Sequence, residues 1–183
     1  MSHLISSLLL DGLSVEPEDY AKFMVFNNII YVHKALRINF TTYNNWCDQD
    51  MINPHMHSDI MMLSNSNSGH PYCYAHVLGI YHASVQLNSS RSRNRELHQA
   101  EFLWVRWYDV DEKARTGFKA KRQFQLKFWT GSRTFGFVNP ANVLRAVHLI
   151  PNFSQGTTTR FLGPSIARCP SEKDDDYWYY VNM

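Results

Sequence analysis

Residues 102–108 read Phe-Leu-Trp-Val-Arg-Trp-Tyr (FLWVRWY), and this stretch decides the predicted fold. Aromatic and β-branched residues favour strands, and successive side chains of a strand point to opposite faces. Leu103, Val105 and Trp107 therefore share one face, and the even-numbered residues share the other. Because both faces carry large apolar side chains, we expect a central strand, including Trp104 and Arg106, that is covered on both sides.

Further strand patterns lie on both sides of this stretch. Leu36, Ile38 and Phe40 alternate with polar residues, as in a half-buried strand. Asn139 followed by Pro140 predicts a capped helical turn. The other predicted strands are 59–63, 72–81, 123–129, 133–138 and 147–150. The sequence therefore predicts a mainly β fold (β-rich α+β), a small twisted barrel or sandwich with short helical turns.

The length and composition are those of one ordinary domain. The chain has 183 residues, of which 44% are hydrophobic and 19% charged. A chain of this size buries about 70% of its extended surface, enough for a core. We predict an N-terminal lead-in over residues 1–30, partly helical with one short helix over 20–31. A single β-rich domain is predicted over residues 31–183.

Cysteine usage and hydropathy indicate an intracellular protein without a membrane segment. The cysteines, Cys47, Cys73 and Cys169, are far apart and odd in number, so they predict neither a disulfide framework nor a structural zinc site. No apolar run approaches 18 residues. The short apolar stretch near the N-terminus follows no Lys or Arg, unlike a signal peptide. We therefore expect a reducing compartment.

Positive charge is concentrated in the middle of the chain. The net charge is +2, but residues 91–133 carry eleven basic and five acidic side chains. Basic clusters attract polyanions by releasing counterions. The predicted nucleic-acid contacts are Arg91, Arg93, Arg95, Lys119, Lys121 and Arg122.

Duplex DNA should bind weakly and with little sequence preference through these six side chains, because no recognition helix is predicted. If about four of them contact phosphates, the logarithm of affinity should fall with log salt at a slope near −3 to −4. Fluorescence anisotropy at two salt concentrations measures this slope. Equal binding by the wild type and a variant with all six residues neutralised would show that the clusters are only solvated.

Several blocks resemble one uncharacterised family. They are residues 30–64 (IYVHKALRINFTTYNNWCDQDMINPHMHSDIMMLS), 70–85 (HPYCYAHVLGIYHASV), 102–108, 136–153 (GFVNPANVLRAVHLIPNF) and 179–183 (YYVNM). The family occurs in fungal (basidiomycete) proteins encoded in or beside DNA transposons of the Plavaka and Kyakuja-Dileera-Zisupton kind. The likeness runs from about Tyr31 to Met183. Its members are usually longer, which makes this chain look like a short copy, and no biochemistry comes with the resemblance.

A second resemblance concerns the fold. The order of residues 71–80, Val105 to Tyr108, and Asn139 to Pro151 is similar to that of a bromo-adjacent homology (BAH) domain. The block before Asp59 departs from that family, which does not require it. The resemblance implies a β-rich module, without cofactor, that binds histone tails, nucleosomes or partner proteins.

An enzyme remains an alternative. His57-Ser58-Asp59 is an H-x-D pair, which on a strand would place two ligands on one side. With His148 as the third ligand, these residues would form the facial triad of an Fe(II)/2-oxoglutarate oxygenase, and Arg160 would bind the 2-oxoglutarate. A transposase-like metal site is not predicted, because the acidic run 174–176 is expected to be a solvated loop.

Aromatic side chains are the remaining candidate binding residues. They are Trp46, Trp104, Trp107, Trp129, Tyr72, Tyr74 and Tyr108. They could form a cage for methyl-lysine or stack on bases, although core packing is the default for each.

The main hypothesis is a non-catalytic, transposon-derived interaction module in the nucleus that binds chromatin, DNA or a protein partner. A degenerate fragment without activity is the third possibility.

Overall fold

The structure is a computed structural model that describes residues 23–42, 46–64, 70–87, 97–111, 124–163, 165–168 and 174–182. Its elements are almost all strands. In chain order they are β1 (Phe23–Val25), β2 (Tyr31–His33), β3 (Leu36–Thr41), β4 (Cys47–Ile52), β5 (Asp59–Leu63), β6 (Tyr72–Leu87), β7 (Leu97–Val110), β8 (Gln125–Phe128), β9 (Phe135–Val138), β10 (Val143–Ala146), β11 (His148–Pro151), β12 (Thr157–Thr158), β13 (Asp175–Asp176) and β14 (Tyr179–Asn182). Single 3-10 turns span Phe26–Asn28, Pro140–Asn142 and Phe153–Gln155.

Two long antiparallel strands, β6 and β7, form the centre of the main sheet. Their register runs from Ala75 opposite Trp107 to Gln86 opposite Leu97, with an irregularity between Val77 and Gly79. The main path of the sheet is β10-β5-β6-β7-β8-β14-β11, while β1 and β2 also pair with β6 and β9 also pairs with β7. Each long strand therefore has different partners along its length.

Two apolar clusters cover the faces of this sheet. The first surrounds Ile60, Val77, Leu103 and Val105, and the hairpin of β3 and β4 contributes Ile52 to it. The second contains Tyr74, Tyr108, Leu126, Phe128, Leu149 and Val181. Because β7 supplies side chains to both clusters, it links the two halves of the core.

The prediction of a mainly β fold is confirmed, but the predicted barrel is not formed, because the sheets that the described residues make are open. The central strand is also confirmed, because Leu103 and Val105 are fully buried and Arg106 is buried. Strand β5 matches its predicted limits, and the predicted strand 72–81 is longer, as β6. Asn139 caps its turn as predicted, with Oδ1 accepting from the Ala141 amide at 2.9 Å.

The short helix predicted over residues 20–31 is wrong in its described part. Residues 23–25 form β1, which pairs antiparallel with residues 85–87 of β6. Asn27 and Asn28 both have a φ of 54°, the left-handed conformation that interrupts an α-helix and that Asn tolerates. The division between residues 1–30 and 31–183 stays a prediction. None of the described helical turns is long enough and apolar enough to cross a membrane.

Candidate functional site

Three polar residues form a row across the middle of the main sheet. Asp59 on β5 lies opposite His76 on β6, and His76 lies opposite Arg106 on β7. Directly opposed side chains of antiparallel strands lie on the same face. The strands therefore bring a carboxylate, an imidazole and a guanidinium together on one face of an otherwise apolar core.

Asp59 anchors one end of this row. Its Oδ1 accepts a hydrogen bond from the Tyr108 hydroxyl at 2.9 Å and lies 2.9 Å from His76 Nδ1. The Ser58 hydroxyl is 3.1 Å from the same nitrogen. Burial, followed by the charge of Asp59, raises the pKa of Tyr108 well above its usual value. The phenol therefore stays protonated and remains a hydrogen-bond donor.

Arg106 anchors the other end through a buried ion-pair network. Its Nη1 and Nη2 donate to Oδ1 and Oδ2 of Asp175, both at 2.9 Å. Arg168 Nη2 donates to Asp175 Oδ2 at 2.9 Å and to the Leu162 carbonyl at 2.7 Å. The three charged side chains are only 4–6% exposed. Asp175 therefore joins β7 to a segment 69 residues later in the chain.

Aromatic rings form a wall beside this network. The Arg106 guanidinium lies 3.6 Å from the centre of the Phe128 ring, a cation–π contact. Tyr108 stacks on Phe128 with ring centres 4.4 Å apart. Tyr179 meets both rings nearly edge-on, at 5.7 and 5.8 Å. The site therefore already holds one cation against an aromatic face.

The row, the network and the wall line a partly open cavity of about 270 Å³, which we call the acidic pocket. Four carboxylates and two guanidiniums line it, and both guanidiniums bind Asp175. Burial and the neighbouring Asp175 raise the pKa of Asp176, so its ionised form is less favourable there than in water. An added cation would relieve this cost. The lining residues are Asp59, His76, Leu78, Arg106, Tyr108, Phe128, Leu149, Ala167, Arg168, Asp174, Asp175, Asp176 and Tyr179.

The structure does not bring the predicted iron ligands together. His57 and His148 line a different cavity of about 500 Å³, beside Asp50 and Arg145, whereas Asp59 lines the acidic pocket. His57 precedes β5 in a turn that bridges back to Asn53, so the alternation of a strand does not extend to it. In the part of the chain that the structure describes, His, Cys, Asp and Glu form no group of three suited to a metal ion. The H-x-D spacing of His57 and Asp59 therefore does not correspond to a shared metal site in the structure.

The six predicted nucleic-acid contacts, Arg91, Arg93, Arg95, Lys119, Lys121 and Arg122, lie outside the described residues. DNA binding through them stays a prediction.

The expectation of a solvated acidic run is wrong for Asp175, which is 5% exposed. Sequence reasoning missed its pairing with Arg106. One signal was available: an Arg in the middle of a strand covered on both faces must have a buried acidic partner. Among the aromatic candidates, only Tyr108 lines the acidic pocket, and its neighbours Phe128 and Tyr179 were not predicted.

No protein-family model, no curated protein and no solved structure matches the chain.

Proposed function

We propose that this chain is a non-catalytic interaction module whose acidic pocket binds a lysine or arginine side chain of a partner protein. The observation that carries the proposal is the charge of the lining. Its two described guanidiniums both bind Asp175, which leaves Asp59, Asp174 and Asp176 facing the cavity without a matching arginine or lysine. Histone tails carry such lysine and arginine side chains, and binding to them would place the protein in the nucleus.

The size of the acidic pocket supports a side chain as the ligand. Cavities that enclose drug-sized molecules measure roughly 300–1,000 Å³. At about 270 Å³, the pocket falls just below that range. The half-buried Tyr179 ring offers apolar surface to the methylene stem of a lysine or arginine, and the carboxylates offer acceptors to its charged end.

Binding of basic peptides tests this proposal. Fluorescence anisotropy should show that a lysine- and arginine-rich peptide binds, while an acidic peptide of equal length does not. Asp59→Asn and Asp176→Asn each keep the side-chain shape but remove a negative charge. Because a hydrogen bond to a charged group contributes about 1.5–3 kcal/mol, each change should weaken binding roughly 10- to 150-fold. Asp48→Asn, an exposed change on β4, is the matched control and should leave binding unchanged.

Acid should weaken the same interaction. The pKa of Asp176 is raised above the usual 3.8, so this carboxyl takes up its proton at a higher pH than an ordinary aspartate. Attraction for a cation is then present above the raised pKa and is lost as the pH falls through it.

Equal binding of the basic peptide by the Asp59→Asn, Asp176→Asn and Asp48→Asn variants would refute the assignment of the acidic pocket as its binding site.

A further inference from the structure

Two histidines face each other on the surface of the main sheet, outside the acidic pocket. His33 ends the short strand β2 opposite Ile80, and His82 lies on β6 two residue pairs away, opposite Tyr31. The His33 Nε2 and His82 Nδ1 atoms are 2.5 Å apart. The centres of the two rings are 4.8 Å apart, and their planes are inclined by 31°. Two nitrogens that can each offer a lone pair are therefore aimed at one another.

Tyr31 holds one of these rings in place. Its ring stacks on that of His82 with centres 4.6 Å apart and planes only 10° from parallel. Strand pairing between β2 and β6 fixes the backbone on both sides of the contact. Water also reaches the pair, because His33 is exposed and His82 is only half-buried. The pair is thus ordered and open to solvent at the same time.

We propose that His33 and His82 form a binding site for a divalent transition-metal ion. The ligands are His33 Nε2 and His82 Nδ1, and water completes the coordination. Neutral imidazole is a good ligand for Zn²⁺, Ni²⁺ and Cu²⁺, whereas Mg²⁺ and Ca²⁺ prefer oxygen ligands. A third protein ligand is not required, and within the described residues no group of three His, Cys, Asp or Glu is placed to supply one. The proposal is independent of the function of the acidic pocket.

The geometry needs only a small adjustment to hold zinc. Zinc lies about 2.0–2.1 Å from a histidine nitrogen, so two such nitrogens at a tetrahedral or right angle are roughly 3 Å apart. At the tetrahedral angle the two nitrogens would have to move apart by roughly 0.8 Å from their present 2.5 Å. Each lone pair would also have to turn from the other nitrogen toward the metal, which requires a rotation of the exposed His33 side chain. In the neutral pair one ring donates an N–H to the other. For both facing nitrogens to bind the metal, that hydrogen moves to the other nitrogen of its own ring by tautomer exchange, so both imidazoles stay neutral and the pair loses no proton.

Calorimetric titration with Zn²⁺ at neutral pH tests the site, using a chain without a histidine tag. We expect one zinc ion per chain in the wild type and at least tenfold weaker binding in His33→Ala and in His82→Ala. The double variant should be no worse than either single variant, because one remaining imidazole makes no chelate. His55→Ala, which removes another exposed histidine, is the matched control and should bind zinc like the wild type. Mg²⁺ should give no binding heat.

The nitrogen atoms involved give a second readout. In ¹H–¹⁵N spectra of the imidazole rings, zinc should shift Nε2 of His33 and Nδ1 of His82, the two atoms that face each other. Both histidines are at the surface, so circular dichroism should show that their variants remain folded. Zinc binding that is unchanged in both variants, or that shifts only other histidines, would overturn the proposal.

Discussion

Asp175→Ala is expected to cost about 3–5 kcal/mol of folding free energy, as the removal of one partner from a buried ion pair does. Asp175 is the only acidic partner of Arg106 and Arg168 among the described residues, and both guanidiniums are almost fully buried. Without it, two positive charges remain in the core with little access to water. Denaturant unfolding followed by tryptophan fluorescence measures the loss. Against a typical total of about 5–15 kcal/mol, this loss removes a large part of the stability of the fold.

The neighbouring aspartate provides the control for this experiment. Asp174→Ala removes the same side chain one residue earlier, at an exposed position. That change should alter the free energy of unfolding by no more than about 0.5 kcal/mol. If the two variants unfold at the same denaturant concentration, the network around Asp175 is not a major source of stability. The ion-pair network would then contribute little to holding the lining of the acidic pocket in place.

The central strand could be predicted from sequence because its signal is local. Alternation over residues 102–108 requires no knowledge of the partner strands, and apolar residues on both faces imply that both are covered. The same holds for β5, whose apolar run is followed by a polar stretch of sequence. Strand β4 (Cys47–Ile52) was not predicted, since its sequence is mostly polar and four of its six residues are exposed. Its pairing with β3 is what makes it a strand.

The candidate site could not be predicted, because it forms through contacts between residues far apart in the chain. Arg106 and Asp175 are 69 residues apart, and Asp59 and Tyr108 are 49 residues apart. Arg106 alone carries a signal, because a charge in a strand that is covered on both faces needs a buried partner, but nothing in the sequence identifies that partner as Asp175. The H-x-D pattern of His57 and Asp59 was more conspicuous, yet it depended on both residues belonging to one strand. A tight turn at His57 is enough to send the two side chains to different cavities.

Trp107→Ala is expected to have an effect of similar size, through packing rather than charge. The indole packs against the first apolar cluster and lies over Gly136 on β9. A Cβ atom added to Gly136 would come to 2.4 Å from the indole Nε1, so the ring fills this space completely. Removal of a packed tryptophan costs about 3–5 kcal/mol, which for a chain of this size lowers the melting temperature by roughly 6–20 °C.

Two further variants separate packing from the general effect of losing a tryptophan. Trp46 is 75% exposed, so Trp46→Ala should change the free energy of unfolding by no more than about 0.5 kcal/mol.

Gly136→Ala should destabilise the wild type by about 1–3 kcal/mol, because the new methyl group collides with the indole. The same change should cost little in the Trp107→Ala background, where the indole is gone, so the two effects are not additive. Additive effects in this double-mutant cycle would mean that the indole does not restrict Gly136, and that β9 is held against β7 by other contacts.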